Sequence, residues 1–208
     1  MPGVFITFEG PEGAGKTLMA ERLAEALRAR GQGVRLTREP GGTRLGEQVR
    51  SIVLAQSQNG EGGVDARADA LLFNAARAQL VAEVIQPALA AGEVVVCARF
   101  ADSTLAYQGY GAGLPIDQLR SIAAVATAGL SPDLTILLDV APEVGLERKA
   151  DDARNRFEAG FDLDFHRRVR AGFLELARQE PARWRVIDAG RAPDAVFAEV
   201  LEATLAVD

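Results

Sequence analysis

Phe8-Glu9-Gly10-Pro11-Glu12-Gly13-Ala14-Gly15-Lys16-Thr17 follows a short apolar run and opens a helical pattern. From Gly10 onward it has the spacing GxxxxGK(S/T), in the strand-to-helix context that a phosphate-binding loop requires. The backbone supplies the chemistry. Gly10, Gly13 and Gly15 permit a tight loop whose amide N–H groups converge into an anion-sized nest at a helix N-terminus, with Pro11, Glu12 and Ala14 completing it. Lys16 then reaches the β- and γ-phosphates, and Thr17 offers its hydroxyl to Mg²⁺. Binding of a nucleoside triphosphate is the expectation.

Outward from this loop, apolar β-rich runs alternate with longer helical patterns, as a parallel sheet wrapped by helices requires. Strands are predicted at Val4–Phe8, Val34–Thr37, Val94–Ala98, Leu134–Val140 and Arg185–Asp188. The first helix is predicted from the phosphate loop to Arg30, with Met19, Leu23 and Leu27 at four-residue spacing and Gly31 as its stop. Further helical patterns cover Arg44–Leu54, Asp65–Ile85, Asp117–Ala128, Pro142–Lys149, Asp162–Gln179 and Pro193–Leu205, with Asp65, Asp117 and Asp162 as N-caps. The stretch 55–63 is rich in Gln, Asn, Ser and Gly and reads as a surface loop. The expected architecture is α/β: a P-loop NTPase three-layer fold in which helices flank a five-stranded parallel sheet. Residues 1–208 would form one domain, with a small mobile lid at 149–160.

Composition narrows the function classes. A chain of 208 residues with 48% apolar content is long enough for one α/β core. Its net charge of −6 argues against nucleic acid or a membrane surface as the main partner, because either needs a dominant basic face. One cysteine, Cys97, excludes an intrachain disulfide framework and suits a reducing cytosol. There is no membrane-length apolar stretch and no signal-like N-terminus, so a soluble, cytoplasmic protein is expected.

A phosphate loop does not name the acceptor, so the residues after the other strands must decide. The second strand leads into Arg38-Glu39-Pro40-Gly41-Gly42-Thr43, the third into Arg99-Phe100-Ala101-Asp102-Ser103-Thr104, and the fourth into a helix ending near Arg148. Each delivers an arginine to one rim. Together with Thr-Arg-Glu-Pro-Gly-Gly-Thr at 37–43, Leu-Leu-Phe-Asn-Ala-Ala-Arg-Ala-Gln at 71–79 and Asp-Ser-Thr-Leu-Ala-Tyr-Gln-Gly at 102–109, the chain resembles the thymidylate kinases from about Val4 to Asp188. These are nucleoside monophosphate kinases that convert dTMP to dTDP with ATP and Mg²⁺.

The resemblance implies roles that the residue chemistry permits. Phe73 and Arg77, four apart on one helix face, would offer the base a stacking ring and a guanidinium donor. The alternative is Phe73 in the core and Arg77 in solvent. Arg38 and Arg99 would hold the acceptor phosphate, for which forked donors are matched. Glu39, Pro40 and Ser103 belong to the same acceptor motifs. Thr104 and Gln108 resemble polar contacts to the base; Tyr107 resembles the residue that crowds the sugar 2′ position, a buried core tyrosine being the other account. Glu12 resembles the acidic position that approaches the 3′-hydroxyl or the magnesium shell, against a solvated loop carboxylate. In the candidate lid, Arg154 or Arg156 would neutralise the transferring phosphoryl group, and Arg148 would stack on adenine. The resemblance also implies a homodimer, for which helices 66–85 and 117–128 are candidates, although their composition fits an internal core equally well.

One position departs from the family pattern. Where an aspartate is usual before the arginine, this chain has Ala98, which removes a carboxylate expected near the metal. Weaker metal organisation and lower turnover follow, unless Glu9 or Glu12 offsets the loss. This leaves open another monophosphate kinase or a catalytically impaired nucleotide-binding relative. Of the remaining residues, His166 is expected at the surface or in a cap, Cys97 as a buried small side chain, Trp184 at the base of the last strand, and Asp151-Asp152 on a solvated lid.

Overall fold

The computed structural model of the chain describes residues 3–54, 64–149 and 161–207. Among these, β1 (Phe5–Glu9) is the central strand of a wholly parallel sheet ordered β2-β3-β1-β4-β5, with β2 at Val34–Arg38, β3 at Val94–Ala98, β4 at Leu134–Asp139 and β5 at Trp184–Asp188. Each strand is found within a residue of its sequence prediction; β1, β3 and β4, buried along nearly their whole length, read as near-continuous apolar runs, whereas β2 and β5 are partly exposed and mixed. Thr7 pairs with Cys97 and Thr135, and Phe8 with Ala98 and Ile136. All five carboxyl ends therefore lie along one edge.

From β1 the chain passes through the phosphate loop into α1 (Lys16–Arg28), and after β2 forms α2 (Arg44–Leu54) and α3 (Ala66–Leu80). A π-helical turn, Val81–Ile85, joins α3 to α4 (Gln86–Ala90). The prediction of one helix from 65 to 85 stopped before Pro87. Pro87 instead lies in the first turn of α4, directly after the π-helical turn. After β3 comes α5 (Ala101–Thr104), which runs into a π-helical segment, Leu105–Gly111, that the sequence did not announce. Then follow α6 (Ile116–Thr127), α7 (Pro142–Glu147), α8 (Leu163–Gln179) and α9 (Pro193–Leu205).

The sheet pleat sorts side chains by alternation. Ile6 and Phe8 face the core shared with α1 and α9, which includes Met19, Leu23, Leu27, Val196 and Val200. Phe5, Thr7 and Glu9 face the opposite side, where Phe5 meets Leu80, Ile85 and Phe100. Tyr107 packs there with Phe165 and Phe173 of α8. The Asp65 side chain accepts from the Arg67 N–H and that of Asp162 from the Phe165 N–H, so both cap their helices. Asp117 does not: Pro115 takes the cap position of α6 and leaves Asp117 in the first turn, where it still complements the helix dipole. No helix among the described residues is long and apolar enough to cross a membrane.

Candidate active site

The phosphate loop lies where β1 ends, and three glycines hold the left-handed backbone that its turn requires: Gly10 at φ 142°, Gly13 at 69° and Gly15 at 87°. Gly13 is also pressed against α7. A β-carbon on Gly13 would stand 1.9 Å from the Gly145 carbonyl oxygen, and one on Gly145 would stand 2.1 Å from that of Glu12. At Gly15, by contrast, the added carbon would meet nothing, so this side of the loop is open for an anion. Lys16 Nζ donates to the carbonyls of Gly10 at 2.9 Å and Pro11 at 2.6 Å. Burial, with the Arg99 charge second, lowers its pKa to about 7.

The loop opens into a cleft of about 370 Å³ over the carboxyl edge of the sheet. Its wall carries Glu12, Gly13, Gly15, Lys16 and Thr17 from the loop and α1, together with Arg38, Glu39 and Pro40 after β2. Phe73 of α3 lines it, as do Arg99, Ser103, Thr104, Tyr107 and Gln108 after β3. Gly10, Pro11 and Ala14 lie in the loop but not on the wall. The Glu39–Pro40 peptide is cis.

Charge is concentrated around Glu12. Its Oε1 accepts from Arg99 Nη2 at 2.6 Å and from the Tyr107 hydroxyl at 2.9 Å. Burial pushes the Glu12 carboxyl up, but the Arg99 and Lys16 charges and the Tyr107 bond outweigh it and bring its pKa down to about 2. Glu12 is therefore an anion held between two cations, not a solvated loop carboxylate. Tyr107 is buried, and its hydroxyl reaches the cleft and accepts from Arg99 at 3.1 Å.

Arg77 is not in solvent. It is 1% exposed and lies behind the cleft wall, with all its N–H groups engaged. It pairs with Glu39 at 2.7 and 2.9 Å and donates to Asn74 Oδ1 at 2.9 Å, Phe100 O at 3.0 Å and Thr104 Oγ1 at 3.2 Å. Burial pushes the Glu39 carboxyl up against the pull of Arg77. Arg38 stays half exposed at the rim, bonded to Glu47 at 3.0 Å. Arg148 lies beside the loop, donating to Ala189 O at 3.0 Å and Gly13 O at 3.5 Å. Arg154 and Arg156 lie outside the described residues.

Sequence reasoning missed Arg50 of α2. It lines the cleft and donates to the Pro40 carbonyl at 3.0 Å, which brings a third guanidinium to the end that holds Arg38 and Arg99. Burial, then the Arg38 charge, lowers its pKa against the opposing pull of Glu47. The available signal was its place one residue after the inward-facing Val49. His166 is also not at the surface: it is 2% exposed, edge-on to Phe165, because its position on α8 faces the core with Phe165 and Val169.

Ala98 lies on the cleft wall and belongs to the core cluster facing α1. Glu9 does not offset the missing aspartate, since it projects from the other sheet face and is used elsewhere. Its Oε1 accepts from Phe100 N at 2.8 Å and Ser103 N at 3.2 Å, and its Oε2 from Ser103 Oγ at 2.5 Å. Burial, then the Asp102 charge, raises its carboxyl to about 7. Asp102 itself turns away and makes a bidentate pair with Arg183, at 2.8 and 2.9 Å.

The phosphate loop, three arginines and Phe73 therefore share one cleft. The sequence profile of the family described as Thymidylate kinase matches residues 8–200. The chain belongs to the thymidylate kinase family. It is 53% identical over 201 residues to the thymidylate kinase of Solidesulfovibrio magneticus, covering 93% of this chain and 94% of that protein. It is also 53% identical over 199 residues to the thymidylate kinase of Deinococcus radiodurans, covering 95% and 94%. The solved thymidylate kinase of Ehrlichia chaffeensis superposes with a TM-score of 0.78 at 34% identity, covering 98% of this chain and 99% of that one. The thymidylate kinase fold thus extends over the whole layered sheet described above, not only over the phosphate loop.

Proposed function

We propose that this chain transfers the γ-phosphoryl group of ATP to dTMP. A phosphate oxygen of dTMP attacks the γ-phosphorus, the bond to the β–γ bridging oxygen breaks, and ADP and dTDP leave without a covalent enzyme intermediate. One observation supports this best: Arg38, Arg50 and Arg99 line the same cleft as Lys16 and Thr17, with Arg99 bonded to Glu12 of the phosphate loop. Transfer between phosphates is mainly positioning and charge neutralisation, which these cations provide.

The residues divide the work. Lys16 and the loop amides hold the donor phosphates. Arg99, fixed by Glu12 and Tyr107, faces the acceptor phosphate. Phe73 stacks on the base, while Thr104 and Gln108 offer polar edges. Arg77 supports Thr104 and Glu39, and reaches the base itself by exchanging its 3.2 Å bonds to Thr104. Arg154 or Arg156 supplies the closing guanidinium from the 149–160 lid, and Arg148 stacks on adenine. Thr17 and Glu12 suit Mg²⁺, which takes few protein oxygens and shares its shell with phosphates and water. Among the described residues no group of three His, Cys, Asp or Glu could cage a metal alone. When bound at these residues, the ion would supply positive charge against the donor phosphates.

Formation of ADP and dTDP, with dUMP, dCMP, dGMP and AMP as parallel acceptors, tests the assignment. Turnover is expected to favour dTMP. A higher rate with another acceptor would reassign the substrate, and nucleotide binding without product would point to an impaired relative.

We also propose a cytoplasmic homodimer. Ile52 of α2, Leu71 of α3 and Val125 of α6 are 52%, 57% and 83% exposed, which is apolar surface that a second copy would cover. Sedimentation equilibrium should give twice the chain mass at micromolar concentration; a monomer there would remove the dimer from the proposal.

A further inference from the structure

Glu9 is fully buried, is absent from the cleft wall, and yet commits both carboxylate oxygens to the turn that carries Arg99. That turn needs fastening. Arg99 has φ 72°, in the left-handed region that a residue with a β-carbon seldom occupies. Its backbone N–H is held by Phe8 O at 2.9 Å and its carbonyl by Cys97 Sγ at 3.0 Å. The Phe100 N–H is held by Glu9 and its carbonyl by Arg77, while the Ser103 N–H is shared between Glu9 Oε1 at 3.2 Å and Phe100 O at 3.1 Å.

The side chains continue the chain of bonds. Arg99 Nη1 donates to Ser103 Oγ at 3.3 Å, and the same hydroxyl donates to Glu9 Oε2 at 2.5 Å. A hydroxyl has one proton to give and lone pairs to offer. With its proton directed to Glu9, it presents a lone pair to Arg99. We propose that Glu9 is a positioning residue for phosphoryl transfer, anchoring the 100–103 turn and, through the polarity of the Ser103 hydroxyl, setting the place of the Arg99 guanidinium. This rests on the assignment of Arg99 to the acceptor phosphate.

Glutamine at position 9 has nearly the same shape but cannot serve all three donors. With its amide nitrogen toward Ser103 Oγ, the hydroxyl proton loses its acceptor; flipped, the nitrogen faces the N–H groups of Phe100 and Ser103. In the first orientation the amide donates to Ser103 Oγ and reverses the polarity of the hydroxyl that Arg99 meets; in the second the turn loses its bonds at the Phe100 and Ser103 N–H groups.

The test is a double-mutant cycle of Glu9→Gln and Arg99→Ala, read as kcat at saturating ATP, Mg²⁺ and dTMP at pH 8.5, where Glu9 is the anion. Glu9→Gln is expected to lower kcat by roughly tenfold or more while the KM for ATP stays within about twofold, because the phosphate nest is untouched. Arg99→Ala should cost about a hundredfold. The double variant should be no slower than Arg99→Ala alone within about a factor of two, since Glu9 acts through Arg99. Multiplying effects, or a Glu9→Gln enzyme with wild-type kcat, would overturn the inference while leaving Arg99 in its role. Wild-type turnover in Arg99→Ala would remove both. Ser103→Ala, paired with Arg99→Ala in the same way, must show the same non-additivity, and it decides the matter if Glu9→Gln does not fold.

Discussion

Lys16→Ala is expected to lower kcat by roughly three orders of magnitude, the scale on which a preorganised cation at a transferring phosphoryl group acts. Lys16 Nζ is bonded to the carbonyls of Gly10 and Pro11, with its pKa lowered to about 7 by burial and by Arg99. Donor phosphates replace those carbonyls with formal negative charge, which favours the ammonium form. The sign follows directly. At pH 8 the free lysine is mostly neutral and the bound lysine protonated, so ATP binding takes up a proton. Below pH 6 the lysine is charged in both states, and the uptake disappears. Calorimetric titration of ATP at pH 8, in two buffers of different ionisation enthalpy, should show this uptake in the wild type and its loss in Lys16→Ala. Equal uptake in both proteins would mean that another group titrates.

Arg77→Met is expected to destabilise the fold by about 3–5 kcal/mol, the cost of leaving one member of a buried ion pair without the other. The partner left behind is Glu39, 5% exposed, whose carboxyl is already pushed up by burial. Asn74 Oδ1, Phe100 O and Thr104 Oγ1 would lose their donor at the same time. A chain of this size loses about 2–4 °C in Tm per kcal/mol, so thermal unfolding should begin on the order of 10 °C lower. Adding Glu39→Gln should recover part of the loss by removing the stranded charge. A single variant within 1 kcal/mol of wild type would show that the pair contributes little and that the site tolerates a protonated Glu39.

What was legible in the sequence follows the range of the forces involved. The phosphate loop, the five strands and the caps of α3 and α8 are local, set by glycine spacing, apolar runs and a single side-chain oxygen. Most of the cleft wall was also legible, because a parallel sheet brings every strand end to one edge. Contacts between distant segments were not. Nothing near Arg77 in sequence announces Glu39, and nothing near Glu9 announces Ser103; both pairings exist only once β1, β2 and β3 lie side by side. Arg50 resembled any other base on an amphipathic helix. No helical pattern was assigned to the π-helical segment at Leu105–Gly111, although its wide turns aim Tyr107 and Gln108 into the cleft. Wide turns of this kind gather at functional sites.

The contact between Gly13 and Gly145 bears on how this protein can be redesigned. A glycine inside a helix normally invites replacement by alanine, since the exchange gains up to about 1 kcal/mol of helix propensity. At Gly145 that choice is closed, because the new methyl group would occupy the space of the Glu12 carbonyl. The phosphate loop is therefore not a portable cassette defined by its own few residues. Its shape depends equally on a bare stretch of α7 backbone far along the chain, and a transplanted loop would need a host that offers the same gap.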